Sequence, residues 1–135
     1  MNFLYYIKIY FVSLVVFLGI DLVWLTKIAP EFYKNNIGHL LADKPNLFSA
    51  AVFYIINILG IIIFAVVPSL NKNSAQSALL LGALYGLVTY ATYDLTNYAT
   101  LRNWPLKVVF VDIAWGMTLS ALVSLITYLI SSKYL

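Results

Sequence analysis

Cysteine is absent from the chain. That excludes disulfides, thiolate nucleophiles and thiolate-bound zinc or iron–sulfur clusters. Histidine is almost absent as well. His39 is the one residue of its type, and it sits in a polar loop without ligand spacing around it, so no metal site is expected. Charge is scarce. Charged residues make up 10% and hydrophobic residues 63% of the chain, against about 25% and about 45–50% in soluble domains. A soluble core of 135 residues has no room for so much apolar side chain. The net charge of +3 is scattered, and without a basic patch or stripe nucleic acid is not an expected partner. Ser/Gly linkers, charge blocks and low-complexity tracts are missing, which leaves a single domain. No cofactor motif is visible and no cofactor is expected.

What the chain has instead is long apolar runs. A spanning helix needs roughly 20 mostly apolar residues. Four windows qualify, at about residues 3–28, 48–70, 75–98 and 105–130. The runs are continuous rather than alternating with period two, which argues against strands. The expectation is an all-α, four-helix transmembrane bundle, with membrane lipids as its surroundings. The first run is too long for the core of a cleaved signal peptide and no small-residue cleavage site follows it, so it is expected to be retained.

The connections carry the punctuation. Pro30, Gly38 and Pro45 fall in the one long loop, expected over residues 31–46. Pro68 with Asn71, Lys72 and Asn73 marks a tight second turn, and Arg102 with Asn103, Trp104 and Pro105 a tight third. An even number of spans puts both termini on one side. Lys27, Lys34, Lys44, Arg102 and Lys107 then lie on the side of loops one and three, against Lys8, Lys72 and Lys133 on the other. The excess places loops one and three in the cytoplasm. Phe32, Tyr33 and Trp104 read as an interfacial aromatic belt.

The informative feature is acid inside the spans. A carboxylate at a helix centre costs about 2.5–3.5 kcal/mol even on the lenient insertion scale, and such residues persist with partners, water or a function. Asp21, Asp94 and Asp112 all fall within spans. Asp21 and Asp112 each lie about 10 Å from the loop side at 1.5 Å per residue, Asp94 is shallower, and Asn57 lies in the same half. Trp24 and Trp115 each follow an acid by three residues, on the same helix face. Tyr90, Asp94, Asn97 and Tyr98 share a stripe on the third span, and Tyr54 precedes Asn57 by one turn. Indole N–H and phenol O–H groups can donate to these carboxyls. Arg102, in the adjacent turn, is a candidate counter-charge for Asp94. The repeated Asp-x-x-Trp, at one depth in helices of opposite direction, is compatible with two inverted helix pairs.

Small residues say how the helices pack. Gly82 and Gly86 give the third span a GxxxG step, which allows close helix approach. Asp112, Gly116, Ser120 and Ser124 follow four-residue steps on the fourth. The expected bundle is close-packed and apolar toward the termini, and splayed toward loops one and three into a cleft lined by the acids.

At these residues the chain resembles an uncharacterised family of short bacterial membrane proteins, domain of unknown function 2177. The matching pieces are Ile20-Asp21-x-x-Trp24-Leu25, Phe32-Tyr33, Tyr90-Ala-Thr-Tyr-Asp94-Leu-Thr-Asn97, Ala99-Thr100-Leu101, Trp104-Pro105 and Asp112-x-x-Trp115-Gly116. The resemblance implies a four-span protein of the bacterial cytoplasmic membrane and carries no established activity.

Three functional readings follow. The first is a small-solute or cation binding or transport protein, with proton coupling as an option. Asp21 and Asp112 would be the paired acids, Asp94 and Asn57 would complete the pocket beside Tyr90 and Asn97, and Trp24 and Trp115 would wall it. Four helices enclose little volume, so a homodimer is compatible with a transport role. The second is a membrane-embedded enzyme acting on a lipid or other apolar substrate, although no convincing nucleophile is visible. The third is purely structural, with the buried acids joining helices through hydrogen bonds.

Overall fold

The computed structural model describes residues 2–135. Among them there are helices and no strands. Four helices are long and apolar enough to cross a membrane: α1 (Phe3–Lys27), α3 (Leu47–Asn71), α4 (Ala75–Thr100) and α5 (Leu106–Tyr134). The four expected spans are present, with the last running a turn further than its apolar window.

The loop between the first two spans is not irregular. Residues 31–46 were expected as loop, yet α2 (Ala29–Ile37) and a 3₁₀ turn (Gly38–Leu40) occupy most of it. The local chemistry explains this. Pro30 sits in the first turn, where its missing N–H costs nothing. Glu31 complements the positive helix start and Lys34 the negative end. Phe32, Tyr33 and Ile37 then pack inward against Trp104, Val108 and Val109.

Caps and turns set the other boundaries. The side chains of Asn2, Asn46 and Ser74 accept hydrogen bonds from Tyr5, Ser49 and Ser77 N–H at the starts of α1, α3 and α4. The two short turns each place an asparagine in the left-handed region, Asn73 at φ 49° and Asn103 at φ 57°. Within α3, residues 62–66 widen into a π-helical turn just before Pro68. Proline cannot donate to the carbonyl four residues back and its ring crowds that carbonyl, so a wider turn relieves the conflict.

The closest helix pair is α4 with α5. A Cβ on Gly86 would overlap the carbonyl of Gly116, and one on Gly82 would meet the Ser120 carbonyl and Ser124 side chain. The expected GxxxG contact is therefore present, against the small-residue stripe of α5. α1 rests on α5 from the other side, while α1 and α3 touch more lightly. The pairing is thus unequal between the two halves of the chain.

Two apolar cores result. The larger holds Ile9, Phe17, Ile58, Ile61, Leu119 and Val123 in the half nearer the termini. The smaller caps the loop side with Ile37, Trp104, Val108 and Val109. The terminal half is close-packed, but it is less apolar than expected. Ser13, Ser120, Ser124, Thr127 and Ser131 are buried there with hydroxyls that lack a hydrogen-bond partner. Thr92, Thr96, Thr100 and Thr118, which face outward, instead donate to the carbonyl four residues back.

Candidate functional site

Between the two cores lies a cavity of about 630 Å³. Ligand pockets commonly measure about 300–1,000 Å³. Eight of its fourteen lining side chains are aromatic, two are carboxyls, and none is basic. The wall therefore offers π-faces and carboxyl groups, with no basic side chain beside them.

The carboxyls are Asp21 of α1 and Asp112 of α5, each buried. Each takes a phenol donor from an element remote in sequence. Tyr54 of α3 donates its hydroxyl to Asp21 Oδ2 at 2.7 Å, and Tyr33 of α2 donates to Asp112 Oδ1 at 2.5 Å. The Trp115 indole N–H also reaches Asp21 Oδ1, at 3.4 Å. These donors fix the orientation of both carboxyls in the cavity wall.

The two Asp-x-x-Trp motifs meet face to face. The Trp24 and Trp115 rings stack with centroids 4.6 Å apart and 10° between planes. Equal depth was expected from the residue count, and the stack requires it. Trp115 crosses over to bond the acid of the other motif, which ties α1 to α5 at this level. Tyr90 lines the cavity from α4 with its ring laid over Gly116. Gly116 has to be glycine here, because a Cβ would enter that ring.

α2 roofs the cavity. Tyr33 and Ile37 hang from it, and Trp104 closes the adjoining edge. Tyr33 and Trp104 had been assigned to an interfacial belt, but both face the cavity, and Trp104 is buried. Burial, and then the Asp112 carboxylate, push the Tyr33 phenol above its ordinary value, so it stays a neutral donor. Lys107 does not enter. Its ammonium lies 5.8 Å from the Phe32 ring centroid, on the outer side of the roof.

Three of the expected site residues do not line the cavity. Asp94 is fully buried behind it, next to Asp112 and Trp104. Neither Asp94 oxygen meets hydrogen-bond geometry with a partner, so Arg102, which is exposed, does not neutralise it. Asn57 is buried below the floor, its amide nitrogen unpartnered and its main-chain carbonyl accepting from Tyr85. Asn97 lies beyond the cavity toward the end of α4, where its carbonyl accepts from Leu101 N–H. Asp21, Trp24, Tyr90, Asp112 and Trp115 are brought together. Tyr33, Tyr54, Tyr93 and Trp104 join them, and residue type alone did not single these out. Among the described residues no cluster of His, Cys, Asp or Glu has the arrangement of a metal site.

The family model described as a predicted membrane protein, domain of unknown function 2177, matches residues 6–129. The chain belongs to this family. The match runs from α1 into α5, so it takes in both Asp-x-x-Trp motifs, α2 and every residue of the cavity wall. For this DUF2177 member, membership establishes a membrane protein and leaves the chemistry to the site. No curated protein and no solved structure matches the chain.

Proposed function

We propose that this DUF2177 protein binds a small organic cation in the cavity between its two cores, as a solute-binding or transport protein of a bacterial cytoplasmic membrane. The observation that carries the reading is the composition of the wall: Asp21 and Asp112 with stacked and edge-on aromatic rings, and no basic side chain. Aromatic faces attract ammonium groups by about 0.5–2 kcal/mol each, most when water is excluded. The carboxyls supply the matching charge. Phenol and indole donors hold them in place before a ligand arrives, so little ordering remains to be done on binding. The basic-residue excess in loops one and three orients the cavity toward the cytoplasmic leaflet. For a transport role a homodimer is the arrangement we propose, since four helices leave little room for a path.

An enzymatic reading has less support. Thr89 carries the one aliphatic hydroxyl in the wall. It already donates to the Tyr85 carbonyl at 2.9 Å, which leaves no poised nucleophile.

The test is thermal melting of the purified protein with choline as probe. Choline should raise the melting temperature of the native chain and should fail to do so for Asp21→Asn and Asp112→Asn. Destabilised variants combined with a native protein indifferent to choline would replace this reading with the structural one, in which the acids only join helices.

A further inference from the structure

The cavity has buried side chains toward the loops, with the half-exposed Leu41 at that edge, and half-exposed side chains on its flank. Toward the loops it is covered by Tyr33, Ile37 and Trp104, the last two buried. Sideways, the Leu47–Ile61 part of α3 stands off from α4, and their backbones close up only from residue 62 onward. One side chain spans the gap. Tyr85 packs on Gly60 and reaches the Asn57 carbonyl at 3.4 Å. On the loop side of Tyr85 the gap is flanked by Phe53 on α3 and by Thr89 and Tyr93 on α4, all of which line the cavity. Phe53 is 49% and Tyr93 56% exposed. The gap therefore joins the cavity to the lipid-facing side of a spanning bundle. Its lip is apolar and aromatic, and its floor, at Tyr85, is well inside the membrane.

A hydrated ion has no use for such a door. A molecule already dissolved in the bilayer does, if its polar end is a cation and its other end is a chain. We infer that the ligand is a single-chain cationic amphiphile taken from the membrane, whose ammonium head sits among Asp21, Asp112, Trp24 and Trp115 while its alkyl chain leaves between Phe53 and Thr89 into lipid. This rests on the cation reading above and adds the tail and the route. The head exchanges water and headgroup contacts for carboxylates and π-faces, and the chain never leaves an apolar medium. A neutral or anionic amphiphile would gain the same chain contacts but would meet two carboxyls with no donor of its own charge.

The chain lends itself to a clean test. All three tryptophans line the cavity, so fluorescence excited selectively at tryptophan reports on it. There is no native cysteine to interfere with labelling. In lipid nanodiscs carrying Phe53→Cys/Thr89→Cys, dodecyltrimethylammonium kept dilute in the lipid is titrated while fluorescence is followed. The titration is made before and after the two thiols are joined by a short reducible bis-thiosulfonate bridge. Bridging should abolish at least nine-tenths of the saturable signal, and reduction should restore it in the same sample. If the bridged protein takes dodecyltrimethylammonium as well as the reduced one, the lateral route is wrong. Choline titrated in parallel separates the two levels: an Asp-dependent choline response with dodecyltrimethylammonium indifferent to the bridge overturns the amphiphile alone, and no response to either cation overturns the cation reading as well. As a second measurement, Phe53→Cys alone should react more slowly with a bilayer-soluble maleimide when dodecyltrimethylammonium is present. An unchanged rate counts against a chain in the gap.

Discussion

Replacing Gly86 by alanine puts a methyl group where α4 touches the backbone of α5. Its Cβ would sit 2.6 Å from the Gly116 carbonyl carbon and 2.8 Å from Met117 Cα. Comfortable carbon–carbon contact begins near 3.5 Å. Backbone cannot rotate aside as a side chain can, so the helices must part by roughly 1 Å. Overpacking of this kind costs about 1–3 kcal/mol. Alanine regains up to about 1 kcal/mol of intrinsic helix propensity. The net expectation is a loss of up to about 2 kcal/mol. Gly19 provides the internal control, because a Cβ there meets nothing within 4 Å. Gly19→Ala should therefore be neutral or slightly stabilising. The assay is thermal melting in one detergent, followed by far-ultraviolet circular dichroism. Gly86→Ala melting at or above the native protein, or Gly19→Ala falling as far as Gly86→Ala, would refute the close α4–α5 approach.

Three further outcomes follow from the same geometry. Asp94→Asn should raise the melting temperature, since an unpartnered buried acceptor costs about 1–3 kcal/mol and an amide can donate to the neighbouring Asp112; a clear fall in melting temperature would contradict the account of Asp94. Indoles stacked at 4.6 Å should give a coupled dichroism band in the strong far-ultraviolet indole transition, lost in both Trp24→Phe and Trp115→Phe; a band unchanged by either would dismiss the stack. Tyr33 has its phenol raised above the ordinary value of 10.0 by burial and by Asp112, so its neutral donor contributes stability below about pH 10 that is lost as pH rises beyond it. The melting-temperature gap between native protein and Tyr33→Phe should narrow in that alkaline window, and a gap that widened would reverse the sign.

The spans were legible because each is a continuous apolar run bounded by Asn, Pro or Ser. The Asp-x-x-Trp pairs were legible because three residues along a helix is one face, and chain length fixed their depth. The roof was not. Pro30, Glu31 and Lys34 are local helix signals, but Tyr33 bonds an acid 79 residues away, and nothing local shows that this face is aimed inward. The same holds for Tyr54, whose acid is 33 residues distant. Asn57 shares the face of Tyr54 but lies about 4.5 Å further along the helix, which takes it below the cavity floor. Periodicity identifies a face, and that small axial difference decided which of two neighbours reached the site. The hydroxyls of α5 show a similar limit: four-residue steps were visible in sequence, but not that these hydroxyls would be buried without a partner.

The account stands on the charge preference of one cavity, and a pair of isosteric probes isolates it. Choline and 3,3-dimethylbutan-1-ol share shape and size and differ in charge. Titrated into the native protein in nanodiscs, choline should change the tryptophan fluorescence saturably and bind at least about tenfold more tightly than the neutral alcohol, the ratio that about 1.4 kcal/mol of cation preference gives. In Asp21→Asn/Asp112→Asn the preference should collapse toward unity. Equal binding of the two probes by the native protein, or a preference untouched by removing both acids, would contradict the claim that this wall is built to hold a cation.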